Sequence, residues 1–131
     1  MFKNLILYIW QLPQHMLALI LIRFSKAEFD EKYQTSRVYR TKKLFGISLG
    51  QYIIMNTHHD YQTIQHEYGH SIQSLYFGPL YLLIVGLPSI TMNIISRIDY
   101  RFGNKKFYYN YYNRWPENWA DKLGGVNRRD E

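Results

Sequence analysis

His66, Glu67 and His70 form a His-Glu-x-x-His run in the middle of the chain. Residues four apart lie about 40° apart around an α-helix, so on a helix both imidazoles project from one face and can share a metal ion. Glu67 falls on the flank of that face, placed to take a proton from a metal-activated water without ligating. Glu117 comes 47 residues after His70 and opens Glu-Asn-Trp-Ala-Asp, in which Asp121 shares its helical face. A catalytic zinc takes three protein ligands and keeps one position open, and two histidines with one glutamate are a known solution. The expected ligands are therefore His66, His70 and Glu117, with Zn2+ as cofactor. Metal-bound histidines usually give their second ring nitrogen to a carboxylate, the role expected of Asp121. The plain alternative makes Glu117 a helix-start acid and Asp121 a surface charge.

These side chains need two helices to hold them. Asp60 can cap a helix through YQTIQHEYGHSIQSLYF, with Ile64, Tyr68, Ile72 and Leu75 as its buried stripe and Gly78 and Pro79 as its end. Pro116 suits the first position of a second, short helix, PENWADKL, stopped by Gly124 and Gly125. Upstream, Val38 to Asn56 is rich in β-branched and aromatic residues and reads as two strands joined through Lys42 and Lys43. Its GISLGQYII segment is positioned to lie beside the cleft and pair with an extended peptide, or to be a plain core strand. Residues 25–36 read as a polar surface linker, His58 and His59 as loop residues, and Gly103-Asn104 as a turn. The element order predicts one α+β domain over residues 1–131: a small antiparallel sheet, an active-site helix, apolar helices and a short C-terminal ligand helix.

Composition limits the chemistry further. The absence of cysteine excludes a disulfide framework, a thiolate zinc finger and a cysteine nucleophile. Leu5 to Ile22 is mostly apolar, yet Gln11, Pro13, Gln14 and His15 interrupt it. Polar groups in hydrocarbon are expensive and these share one helical face, which predicts a membrane-associating helix within residues 1–24 that lies in the plane or folds as a hairpin. The alternative is a core helix. Leu80 to Ile95, broken by Gly86 and Pro88, reads as too short for a full span, hence a buried helix pair or a second membrane-dipping element. A formal charge of +6 suits an anionic partner such as a membrane surface or nucleic acid, and 13 tyrosines suit interfaces. The expected location is membrane-associated, peripheral or monotopic, with cytoplasmic as the alternative.

HEYGH together with ENWAD resembles the gluzincin tribe of zinc metallopeptidases, the thermolysin-type pattern. More loosely, the chain is similar to small bacterial gluzincin-like proteins that place an apolar segment before HEYGHSIQS and end near PENWADKLGG. The resemblance implies a zincin-like fold, His66, His70 and Glu117 as zinc ligands, Glu67 as general base, Asp121 supporting a ligating histidine, and a peptide or protein substrate. Two other function classes compete. One is a zinc-holding or peptide-binding module without turnover. The other is a nucleic-acid binder, suggested by the aromatic and basic run RFGNKKFYYNYYNRW, which fits an aromatic shelf at a membrane interface or cleft wall better. Tyr111, Tyr112 and Arg114 are the nearest candidates for stabilising a developing oxyanion, against simple packing roles.

Overall fold

The N-terminal segment turns its polar residues inward. In the computed structural model, which describes residues 2–43, 46–58 and 60–128, it forms α1 (Phe2–Trp10) and α2 (Leu12–Ser25), bent by 81° across Gln11. The single helix expected here is thus an elbow. Gln11, Gln14 and His15 are fully buried, whereas Leu12, Met16, Leu19, Ile20 and Phe24 are exposed. The buried groups act as anchors. Gln14 Nε2 donates to Ser74 Oγ at 2.8 Å and to the Gly78 carbonyl at 2.7 Å. His15 Nε2 accepts from the Gln51 amide at 3.0 Å, which leaves the ring proton on Nδ1 to donate to the Tyr8 carbonyl at 3.0 Å.

Four strands follow: β1 (Glu28–Tyr33), β2 (Ser36–Thr41), β3 (Ile47–Leu49) and β4 (Tyr52–Asn56). The sheet order is β1-β2-β4-β3, and β2 and β4 run parallel, so the sheet is mixed and not the antiparallel one expected. β1 corrects the reading of residues 25–36 as linker. Its EFDEKY sequence is exposed on both faces because it is an edge strand, where charged side chains block further pairing. Nothing in its polarity separates it from a loop. The expected pair of strands from Val38 to Asn56 is instead three, with Val38, Ile53 and Met55 packed on Ile64 as the core.

α3 (Tyr61–Phe77) begins where expected, with the Asp60 carboxylate accepting from the Thr63 amide at 3.1 Å, and ends at Gly78. Its predicted stripe holds in part, with Tyr68 half-buried against the core and Ile72 and Leu75 half-buried. Of the four residues only Ile64 is buried; the inward positions also hold His66, Glu67, His70, Ser71, Gln73 and Ser74. These polar groups are buried because they bond to one another and to neighbouring elements, as in Ser48 Oγ with Ser71 Oγ at 2.9 Å.

After a 3-10 turn at Gly78–Leu80, a π turn (Leu82–Gly86) runs directly into α4 (Leu87–Phe102). Pro88 has no N–H for the carbonyl four residues back, and the wider turn accommodates that loss without breaking the helix. The stretch read as too short is therefore a continuous helix, and Leu82–Phe102 is long and apolar enough to cross a membrane, with 11% of its apolar window buried. The chain closes with α5 (Lys106–Tyr109), a 3-10 turn at Tyr111–Asn113 and α6 (Glu117–Gly124), whose C-terminus is capped by Gly125 in the left-handed conformation.

α6 lies against α3 at unusually close range. A β-carbon added to Gly69 would sit 1.8 Å from the Ala120 carbonyl oxygen, and one added to Gly124 would sit 1.9 Å from that of Gln65. Only glycine permits this contact at either point. Gly69→Ala is expected to push α6 away and to cost about 1–3 kcal/mol or more, as overpacking does. Gly86→Ala, where a β-carbon meets nothing nearer than 3.6 Å, is expected to be tolerated. Denaturant unfolding of both variants measures this; equal midpoints would mean that the close approach is not needed.

Candidate metal centre

The two histidines reach the site from successive turns of α3, with ring centres 4.8 Å apart and planes nearly perpendicular. α6 delivers Glu117 beneath them. This carboxylate is fully buried, and its Oε2 lies 2.8 Å from His66 Nε2 and 3.0 Å from His70 Nε2. The second ring nitrogens are held from behind. His66 Nδ1 donates to Asp121 Oδ1 at 2.7 Å, and His70 Nδ1 donates to Gln73 Oε1 at 2.7 Å. Gln73 Nε2 donates to the Pro116 carbonyl at 3.0 Å, which turns the amide oxygen toward His70. One ligand atom each from His66, His70 and Glu117 lies within 4.8 Å of the others. Two Nε2 atoms and a carboxylate oxygen at one point, with both Nδ1–H groups anchored, is a donor set that fits a divalent metal ion.

All five residues singled out in the sequence meet here. Glu67 is buried on the wall of a cavity of about 580 Å³ that His66, His70 and Glu117 also line. Strand β3, the edge of the sheet, lines the same cavity, with the Ser48 carbonyl already accepting from Tyr81 Oη at 3.0 Å. Tyr111 and Tyr112 line it as well. Arg114 does not: its guanidinium lies 3.9 Å above the Phe107 ring and donates to the Phe107 carbonyl. His58 is an exposed loop residue, as expected, and His59 lies outside the described residues.

Several contributors had no sequence signal strong enough to find them. Ser89, on α4, donates a short hydrogen bond to Glu117 Oε1. Arg128 donates from Nε to Asp121 Oδ2 at 2.6 Å and from a terminal nitrogen to Oδ1 at 3.2 Å, with its guanidinium 3.5 Å over the Tyr112 ring. Tyr112 in turn meets His66 edge to face at 5.1 Å. Gln73 had a usable signal, since it stands three residues after His70 on the same helical face.

Charge is balanced within the cluster. Burial opposes a charge on His66, but the hydrogen bonds it donates to Asp121 and Glu117 outweigh it and raise the pKa to about 9. Burial opposes a charge on His70 too, and the adjacent Glu117 carries the balance upward. Burial would raise Glu117, yet His70 and His66 hold its carboxyl well below the usual carboxylate range. Asp121 is lowered in the same way, its burial outweighed by His66 and Arg128. Glu67 goes in the opposite direction: burial pushes its carboxyl up against the pull of the two imidazoles. The Tyr112 hydroxyl is pushed up to about 12, chiefly by burial, so it is a donor at neutral pH. The arrangement can therefore hold a metal and place beside it a carboxylate that accepts and returns a proton.

No known family model matches the chain, and neither does any characterised protein or solved structure.

His66 holds its proton more tightly folded than unfolded. In metal-free protein its contribution to stability is therefore complete below about pH 6.5 and is lost as pH rises through about 9. A metal competes for the same nitrogen, so affinity should increase over that interval. The thermal midpoint of chelated protein is expected to fall between these pH values while metal occupancy at fixed free zinc rises. Asp121→Asn should flatten the fall and weaken zinc binding by about 10 to 100-fold. A midpoint independent of pH, with unchanged affinity in the variant, would contradict this account of the cluster.

Proposed function

We propose that the chain is a membrane-associated zinc metalloendopeptidase of gluzincin type, with His66, His70 and Glu117 as ligands and Glu67 as general base. The observation that carries this reading is the convergence of two Nε2 atoms and the Glu117 carboxylate at the wall of a cavity that buried Glu67 also lines. A structural zinc site closes with four protein ligands, whereas three donors meet among the described residues, which favours a site with an open position.

Zinc held by His66, His70 and Glu117 would supply Lewis acidity, lowering the pKa of water to about 7 and polarising a carbonyl. Glu67 accepts the proton of the attacking water and returns it to the departing amine, and the upward push that burial gives its pKa suits both transfers. Asp121 and Gln73 fix the two imidazoles so that both Nε2 atoms stay aimed at one point. Tyr111 and Tyr112, protonated on the cavity wall, are the available donors to a developing oxyanion. The short β3 edge lines the same cavity beside them, and an extended peptide pairing with it would compete with Tyr81 for the Ser48 carbonyl.

The membrane part of the proposal rests on inverted polarity. α2 buries its glutamines and histidine and exposes its aliphatic residues, and α4 exposes Leu87, Ile90, Ile94, Ile95 and Ile98. Arg23 and Lys26 at the end of α2, with Arg101 in the last turn of α4 and Lys105 and Lys106 after it, suit anionic head groups. The aromatic run is divided: Phe107 lies under Arg114 and Tyr112 under Arg128, while Phe102, Tyr109 and Trp115 are exposed, an arrangement that suits an aromatic shelf at a membrane interface better than a surface for stacking bases.

Glu67→Gln separates chemistry from binding. It is expected to keep stoichiometric zinc and the wild-type fold while single-turnover cleavage of a peptide library, assayed with anionic vesicles, falls by about 100 to 10,000-fold. Equal cleavage rates in variant and wild type would remove Glu67 from the chemistry, and absent cleavage by zinc-loaded wild type would favour the zinc-holding module.

A further inference from the structure

The cavity is chemically divided. Its polar part carries the ligands and Glu67 together with Thr63, Ser89, Asn93 and Arg97, while its flanks are Leu17 and Leu21 from α2 and Leu82, Leu87, Ile90 and Ile94 from the helix leading into and forming α4. Four of these six, Leu17, Leu87, Ile90 and Ile94, are more than one-third exposed. The same side chains therefore wall the cavity and face outward at its rim. They are continuous with the residues that α2 and α4 expose elsewhere, such as Ile20 and Ile95. The principal packing partners of α2 are the sheet and the turn after α3, and those of α4 are its own preceding turn and the aromatic segment that follows. Among the described residues no extensive α2–α4 packing closes the opening between them.

Apolar flanks of this extent left in water are costly, and the exposed Arg97, one turn beyond Ile94 on α4, is a charged group that lines the cavity beside them. Here the rim matches the two helix surfaces assigned to lipid. Resting on the peptidase reading above, we infer that substrate reaches Glu67 laterally, between α2 and α4, and that its class is a peptide whose apolar segment lies in the same membrane. Leu17, Leu21, Ile90 and Ile94 hold bulky apolar side chains next to the scissile bond, and β3 supplies the backbone edge beside them. A lipid acyl chain would use the apolar walls but would leave the β3 edge and Glu67 without a role, which favours the peptide.

The absence of cysteine from the chain makes the test clean. Glu67→Gln protein, zinc-loaded and reconstituted in phosphatidylcholine–phosphatidylglycerol vesicles, receives one cysteine in place of Leu21 or Ile94, or of their neighbours Ile20 or Ile95. The neighbours are comparably placed along each helix and are exposed, but they do not line the cavity. A leucine-rich membrane-inserted peptide with one cysteine near its end is added with oxidant, and disulfide cross-linking is quantified. Yields at Leu21 and Ile94 are expected to exceed those at Ile20 and Ile95 by about 10-fold, in line with the 10 to 200-fold that small apolar pocket contacts discriminate. An excess of the same peptide without cysteine should compete, and a water-soluble polar peptide should not. Equal yields at neighbouring positions, or competition by the polar peptide, would overturn lateral access. Competition by a fatty acid at the strength of the peptide would assign the cavity to an acyl chain and overturn the substrate class. Because cross-linking needs no turnover, the two readings fail separately. Wild type that cleaves nothing while the cross-linking preference holds refutes the hydrolase alone; wild type that cleaves soluble peptides while neighbouring positions cross-link equally refutes the lateral route alone.

Discussion

The backbones of α3 and α6 touch, and the site exists because they do. Gly69 lies against the Ala120 carbonyl and Gly124 against the Gln65 carbonyl, so no side chain separates the two helices at either point. At that spacing Glu117 reaches beneath both imidazoles, Asp121 reaches the far nitrogen of His66, and the Pro116 carbonyl meets the Gln73 amide. An added methyl group at either glycine would displace carboxylates held at distances of 2.7–3.0 Å. Charge reinforces the contact, because each buried histidine is offset by a carboxylate from the other helix, and a buried ion without its partner is far more costly than the pair.

A polar centre on the inner side of α3 sets the character of what surrounds it. Sandwiched between the sheet and α6, this helix buries histidine, glutamate, glutamine and serine instead of a greasy stripe. α2 follows the same rule by docking through Gln14 and His15. With polar groups used for internal contacts, the aliphatic residues of α2 and α4 are left outside. In water such faces promote association; in a bilayer they are at home, since hydrocarbon removes the cost of exposing them. The metal site and the surface proposed to meet the membrane are in this sense one arrangement, joined at the cavity that both helices wall.

How much of this could be read from residues alone depends on whether each feature is local. The Asp60 cap, the Gly78 and Gly125 ends and the facing of His66 with His70 or of Glu117 with Asp121 follow from helical geometry within a few residues, and all are present. The meeting of the two helices followed from ligand chemistry, because metal sites need a third donor. Features set by distant partners were missed. The charged strand β1 looks like a linker because an edge needs no apolar face, and the stripe on α3 held only in part because its buried polar groups find partners more than forty residues away. Gly86 and Pro88 usually interrupt a helix, and a π turn kept it continuous. Ser89 and Arg128 carry no pattern that ties them to a site; only the folded chain brings them to Glu117 and Asp121.

The central claim is that His66, His70 and Glu117 hold a zinc ion with one position open to the cavity. X-ray absorption at the zinc K-edge of the purified, zinc-loaded full chain tests it directly. The account predicts one zinc per chain in a four-coordinate nitrogen and oxygen shell at about 2.0–2.2 Å, with scattering from two imidazoles and one light-atom ligand that exchanges with an added small anion. A shell of four protein donors that no added ligand perturbs, or zinc bound without two imidazoles, would contradict it.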